Sequence, residues 1–152
     1  MGLLTWKRGT LEAPLPPVLV SCGTLDSPNV LTVAWTGIVN TDPPMTYISV
    51  RPERFSFEIL RKTGEFVINL PTESLARAID FCGVRSGRDI DKIDACGLTL
   101  LPGETVQTPL VAESPVHLEC QITQELPLGS HHMFLARISA VRVDEKYMDE
   151  TG

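Results

Sequence analysis

Apolar and polar residues alternate along most of this chain, which is the period of a half-buried strand. The stretch "PVLVSCGT" (17–24) is apolar and β-branched. "NVLTVAWTGIV" (29–39) alternates, with Leu31, Val33 and Trp35 on one face and Thr32, Ala34 and Thr36 on the other. "MTYISV" (45–50) and "EFVINLP" (65–71) read as further strands. In "PVHLECQITQEL" (115–126), Val116, Leu118, Cys120 and Ile122 point one way, and His117, Glu119, Gln121 and Thr123 the other. "HHMFLARISAVRV" (131–143) is a long last strand with Phe134, Ala136, Ile138 and Ala140 on one face. Turn chemistry fills the gaps, as in "LDSPN", "NTDPP" and "LPGET". Helices are short. Pro52 in a first turn and Gly64 at the exit predict one over 53–62. "TESLARAIDFCG" (72–83) predicts a second, closed by Gly83, and "DIDKIDACG" (89–97) a third of a turn or two. The pattern is mainly β: an antiparallel barrel with helices covering its rim, without internal repeats.

Composition narrows this to one domain spanning 1–152. A chain of 152 residues with 43% hydrophobic content buries roughly two-thirds of its unfolded surface. No apolar run approaches the ~20 residues of a membrane helix, so no membrane partner is expected. The N-terminal "MGLLTWKRGTLEAPLPP" lacks a secretory pattern, and Trp6 stands where a myristoylation signal needs Ser or Thr. A cytoplasmic protein is the expectation. The net charge of −6 argues against a nucleic-acid surface. Cys22, Cys82, Cys96 and Cys120 form no C-x-x-C pair and read as reduced, mostly buried thiols.

Charge then singles out two places. Over 51–62, Arg51, Arg54, Arg61 and Lys62 against Glu53 and Glu58 give +2 in an acidic chain. Arg51 and Arg54 lie at the positive end of the first helix, where only an anion would favour them, and Ser56 adds a hydroxyl there. A solvated face with ordinary ion pairs is the alternative. The second place is "VRSGRDIDKI" (84–93), where Arg85, Arg88 and Lys92 stand beside Asp89 and Asp91 around Ser86-Gly87. It lacks the spacing of a nucleotide phosphate loop and, taken alone, reads as a solvated loop sooner than as an anion site. Thr32, Ala34 and Thr36, ending in Gly37, would let a flat ring approach the backbone or would simply pack against another sheet. His131 and His132 are adjacent in a strand and face opposite ways, so no metal site is expected. The segment Asp144–Glu150, net −3, is either a docking patch or a solvated end.

Taken in order, "PVLVSCGT…NVLTVAWTGIVNTDPPMTYISVRPERFSFEILRKTGEFVINLP", "SGRDIDKI" and "LGSHHMFLARISAV" resemble the flavin reductase-like family, which includes flavoredoxins and related ferric reductases. The resemblance covers roughly residues 15–143. It implies an antiparallel Greek-key split barrel that binds FMN. The phosphate is then expected at Arg51, Arg54, Ser56 and Lys92. Asn29, Thr32, Ala34, Trp35 and Thr36 become ring or ribityl contacts, and Asn40 and Thr41 edge the ring. His131 matches a histidine near the flavin and the nicotinamide entrance, with a positioning or electrostatic role; His132 is the second choice. The family implies hydride transfer from NAD(P)H to flavin, then electrons to free flavin, a ferric chelate or a redox partner protein, in a homodimer with flavin near the interface.

Two other roles stay open. One is the reductase component of a two-component monooxygenase. The other is an electron-transfer flavoprotein of the flavoredoxin kind, since no G-x-G-x-x-G dinucleotide fingerprint is present. A phosphate-cofactor oxidase on a similar barrel fits less well, because "SGRDIDK" points away from it. Family members commonly continue past the last long strand, whereas this sequence stops at "DEKYMDETG", so no contacts are assigned to such a segment.

Overall fold

The computed structural model describes residues 2–151. Strands β1 (Val18–Thr24) and β2 (Ser27–Val33) form one antiparallel hairpin, and β3 (Thr36–Thr41) and β4 (Pro44–Val50) form another. Helix α1 (Phe55–Thr63) leads into β5 (Glu65–Leu70), and α2 (Ala76–Val84) and α3 (Lys92–Cys96) follow. The short strands β6 (Leu100–Leu101) and β7 (Leu110–Val111) pair with each other, and β8 (Val116–Pro127) with β9 (His132–Val143) form a long final hairpin. The main sheet has seven strands in the order β2-β1-β5-β8-β9-β4-β3, with every pairing antiparallel.

The two edges of that sheet, β2 and β3, are consecutive in sequence and joined only by Ala34 and Trp35. A flat seven-stranded sheet places its edges about six strand spacings, or roughly 28 Å, apart. The three Cα steps from Val33 to Thr36 span no more than ~11 Å. The sheet must therefore roll to bring these two strand ends together at the link, while β2 and β3 stay unpaired with each other: an open barrel, split along one seam. The continuous strand expected over 29–39 is thus two strands, and Trp35 is not a face-mate of Leu31 and Val33. It sits in the link, 38% exposed, with its carbonyl accepting from Ser49 N–H at 3.0 Å.

The barrel interior is packed by Val18, Val20 and Cys22 of β1, Leu31 and Val33 of β2, Phe66 and Ile68 of β5, and Phe134 and Ala136 of β9. Helix α1 adds Phe57 and Leu60, three positions apart on one face, while Glu58 and Arg61 turn outward to each other at 3.5 Å. Gly64 ends the helix in the left-handed conformation (φ 69°) and donates to Leu60 O at 2.9 Å, as its position predicted. The start lies later than expected: Arg54 is the N-cap, extended and without a side-chain capping bond. Gly83 does not close α2, which continues through Val84. A Cβ built there would lie 3.5 Å from Thr32, an ordinary van der Waals contact, so the packing of α2 on β2 does not require glycine at this position.

The outer face of β1 and β2 is covered as well. Leu19 and Val30 pack against Leu75, Ala78 and Cys82 of the α2 region, together with Leu98 and Val111. Buried on both faces, β1 reads as a continuous apolar run. The same covering corrects β8. Leu118, Cys120 and Ile122 face the barrel as expected, yet His117 and Glu119 are buried too, under the segment that carries β6 and β7.

Polar pins hold that segment. Asn69 Oδ1 accepts from Val111 N–H and from His117 Nδ1, each at 2.9 Å; the shared acceptor fixes Nδ1–H as the donor. Glu119 accepts from Glu104 N–H at 3.0 Å, Thr105 N–H at 2.6 Å and the Thr105 hydroxyl at 2.7 Å. Burial pushes the Glu119 carboxyl up, but these hydrogen bonds outweigh it and the net shift is downward. All four cysteines are free, and burial raises the Cys22 thiol to about 11 and Cys120 to about 12. Among the described residues no helix is long and apolar enough to cross a membrane.

A carboxylate with a lowered folded pKa adds stability above its unfolded value of ~4.3, and loses it as pH falls through the folded value. Glu119→Gln turns an amide NH₂ toward donors, and is expected to cost about 1.5–3 kcal/mol at pH 7. The gap to wild type should narrow near pH 3. Urea unfolding at the two pH values measures it; an equal gap at both would show that the charge does not matter.

Candidate functional site

Two cavities meet at the seam and share Leu31 and Arg54. The first, of about 150 Å³, lies between the start of α1 and the loop 85–88 that joins α2 to α3. The uncapped first turn of α1 faces it with backbone N–H groups whose dipole favours an anion. Four cations line it, Arg54, Arg85, Arg88 and Lys92, against one carboxylate, Glu53.

Local chemistry fixes these cations. Asp91 caps α3, accepting from Ile93 N–H at 2.9 Å and Asp94 N–H at 3.1 Å, so that Lys92 leads the helix into the cavity. Arg54 Nη1 donates to Gly83 O at 3.0 Å, tying the α1 cap to α2. Arg88 Nη1 donates to Glu53 O at 2.9 Å, and its guanidinium lies 5.7 Å from the Phe55 ring centre. Gly87 makes this closeness possible: a Cβ there would collide with Asn29 Oδ1 and come within 2.6 Å of Phe55 Cδ1.

Lys92 is the unusual member. It is only 4% exposed, its one hydrogen bond is a long 3.5 Å contact to Cys82 O, and among the described residues no carboxylate lies within ion-pair distance. Burial pulls its pKa down. A buried cation without a counter-charge is costly, and an anion in the cavity would relieve that cost.

The second cavity, of about 260 Å³, runs along Thr32, Ala34 and Trp35 and is bounded by Ser49, Arg51 and His131. The Thr32 hydroxyl is engaged by Ile79 O at 2.5 Å and so belongs to the α2 contact. Trp35 and His131 rings lie 4.5 Å apart at 38°, and Ser130 Oγ is 3.0 Å from His131 Nδ1. Burial lowers the His131 pKa, with Arg51 and Arg54 adding repulsion that Glu53 partly offsets, so the ring is neutral at pH 7. His132 faces away: its Nδ1 meets Glu125 Oε1 at 2.5 Å, and its ring packs edge-on against Phe57. A third cavity of about 370 Å³, sharing Ala34, Trp35 and Ser49, lies beyond the link and includes Thr36, Tyr47 and Thr10.

Of the residues singled out in the sequence, Arg54, Ser56 and Lys92 line the basic cavity, and Thr32, Ala34, Trp35, Arg51 and His131 line the slot beside it. Thr36 is across the link, with its hydroxyl donating to Tyr47 O at 2.7 Å. Three lie elsewhere. Asn29 is 4% exposed behind Ser56, lining none of these cavities. Asn40 and Thr41 are exposed at the far end of β3, where Asn40 Nδ2 donates to Pro43 O at 2.9 Å. Arg85, Arg88 and Gly87 of "RSGR" join the site; the resemblance brought the loop to α1 through Lys92 but gave these three residues no role. Ser49 carried no signal beyond its strand.

A basic end continuous with a slot along strand backbone is the geometry of a site for an elongated, anionic ligand with a flat body. Comparison with known proteins then gives the class: the family model described as "Flavin reductase like domain" matches residues 11–151. The chain belongs to the flavin reductase-like family, and its chemistry is flavin-related oxidoreduction. The structure of flavoredoxin of Desulfovibrio vulgaris (Miyazaki F) is 32% identical with a TM-score of 0.89, over 99% of this chain and 81% of that one. Flavoredoxin from Methanosarcina acetivorans shares the fold, with a TM-score of 0.91 at 24% identity, over 99% and 80%. An uncharacterised protein of Pyrococcus abyssi is 28% identical over 133 residues, 88% of this chain and 76% of its own length.

Since Arg51 and Arg54 repel a proton from His131, Arg51→Gln is expected to move the His131 titration upward. Histidine ring NMR through pH 5–8 reads the midpoint; an unmoved midpoint would mean that the guanidinium does not act on the ring.

Proposed function

We propose that the chain binds FMN, with its phosphate in the basic cavity and its ring along Thr32–Trp35, and acts as an NAD(P)H-dependent flavin reductase. The observation that carries this is Lys92, a buried cation with no carboxylate partner among the described residues, facing an uncapped helix start. Bound FMN would supply acceptance of hydride from the nicotinamide and delivery of electrons to free flavin, a ferric chelate or a partner protein. The residues of the chain bind and orient. Arg54, Ser56 and Lys92 hold the phosphate, and Arg85 and Arg88 close the loop over it. Ala34 keeps the ring near the backbone. Trp35 and His131 wall the slot, with His131 neutral and placed by Ser130.

A homodimer completes the reading. Ile38 and Val39 on the edge strand β3 are 64% and 47% exposed. A second copy covering them would carry Asn40 and Thr41 toward a flavin edge. Free, largely buried thiols accord with work in the cytoplasm. The second reading, an electron carrier that does not itself oxidise nicotinamide, is favoured by the 32% identity to a flavoredoxin.

Spectra separate these. Flavin absorption bands in protein loaded with FMN should bleach on anaerobic addition of NADH or NADPH. Bands that persist with both, yet bleach with dithionite, would establish the carrier; no uptake of FMN would defeat both readings. Lys92→Met is expected to weaken FMN about ten-fold or more, as loss of a charge-assisted bond implies. It should leave the apo melting temperature unchanged or higher, because a desolvated charge is removed. A lower apo melting temperature would make Lys92 a structural residue instead.

A further inference from the structure

Asn29 opens the stretch that the family resemblance assigns to ring or ribityl contacts, yet its side chain lines none of the cavities at the seam. It is buried, and its Nδ2 donates to Ser56 Oγ at 2.6 Å. Ser56 is 2% exposed, in the first turn of α1 and on the wall of the basic cavity. A hydroxyl has one proton to give and two lone pairs. With one lone pair taken by Asn29, the oxygen is fixed in place and its proton remains to be donated. The Cys22 sulfur also touches Ser56, but its thiol donates to Asn29 O at 3.6 Å, and sulfur is a weak acceptor beside a phosphate oxygen. Gly87 completes the arrangement: its lack of a Cβ leaves room for Asn29 Oδ1 and Phe55. Strand β2, helix α1 and the basic loop therefore converge on one amide.

We infer that Asn29 is a positioning residue for the phosphate, acting through Ser56, and touches neither the flavin ring nor the ribityl chain. This rests on the FMN reading above. Its signature is selectivity. Riboflavin is the same molecule without the phosphate, so a group acting only on the phosphate alters FMN binding and leaves riboflavin alone. A group that contacts the ring or ribityl chain alters both alike.

The test is titration of apo wild type, Asn29→Ala, Ser56→Ala and the double variant with FMN and with riboflavin, read by flavin fluorescence. Asn29→Ala should weaken FMN about ten-fold and leave riboflavin unchanged. In the Ser56→Ala background, adding Asn29→Ala should change nothing further, since the mediator is gone. Equal losses for the two flavins would overturn the inference. So would an undiminished effect of Asn29→Ala without Ser56. Should Asn29→Ala fail to give a melting transition, the isosteric Asn29→Asp replaces it. Its carboxylate takes the Ser56 proton, and FMN should fall while riboflavin holds; parallel losses would again overturn the inference. Wild type that binds neither flavin would defeat the FMN reading itself, and this inference with it.

Discussion

Two residues, Ala34 and Trp35, join strands that lie at opposite edges of a seven-stranded sheet. The other features of the site follow from that short link. A chain that must pass from one edge to the other in so few residues forces the sheet to curl, and the curl encloses the apolar faces of β1, β2, β5, β8 and β9 around one core. At the link β2 and β3 are not paired with each other, so each presents an open backbone edge to the seam. The slot, the tryptophan and the adjacent cavity beyond it all lie at this break. A site at a seam has backbone groups on its wall, and backbone groups read the polar edge of a flat ligand without large side chains.

The second determinant is electrostatic. In an acidic chain, Arg54, Arg85, Arg88 and Lys92 converge where α1 begins without a side-chain cap. Each element alone would be better off otherwise: a helix start prefers an acceptor at the cap, and a lysine prefers water. The cost is tolerated because the fold is secured elsewhere. The barrel core is apolar, and the segment over β8 is pinned by Asn69, His117 and Glu119, none of which belongs to the site. Such local disagreement with good packing practice marks functional places in otherwise consistent sequences.

Much of this was legible in the chain. Apolar, β-branched runs and alternation located β1, β4, β5, β8 and β9 to within a few residues, because each buries at least one apolar face, and β1 buries both. Gly64 marked the end of α1, since few other residues adopt a left-handed backbone cheaply. The two basic clusters were visible as departures from the overall charge. Three features were not legible. Alternation runs unbroken through Ala34 and Trp35, so nothing local announces a break. His117 and Glu119 look like solvent-facing residues until a distant segment covers them. Asn29 has the parity of the apolar Leu31 and Val33, and only the packing of α1 shows that it reaches Ser56.

The sequence by itself determined most of the strands, the end of α1 at Gly64, the presence of two basic clusters and, through its ordered motifs, the family. These are local properties, carried by backbone propensity and by charge within a few residues. The resemblance had already grouped Lys92 with Arg54 and Ser56 and preferred His131. Tertiary structure decided that residues 53–56, 84–88 and Lys92 line one cavity, that Lys92 is buried there, and that the His131 ring lies against Trp35. Those facts depend on contacts between residues tens of positions apart, whose geometry is set by how the whole sheet rolls. No window of the sequence contains that information, because the closure of a barrel is a property of all its strands together.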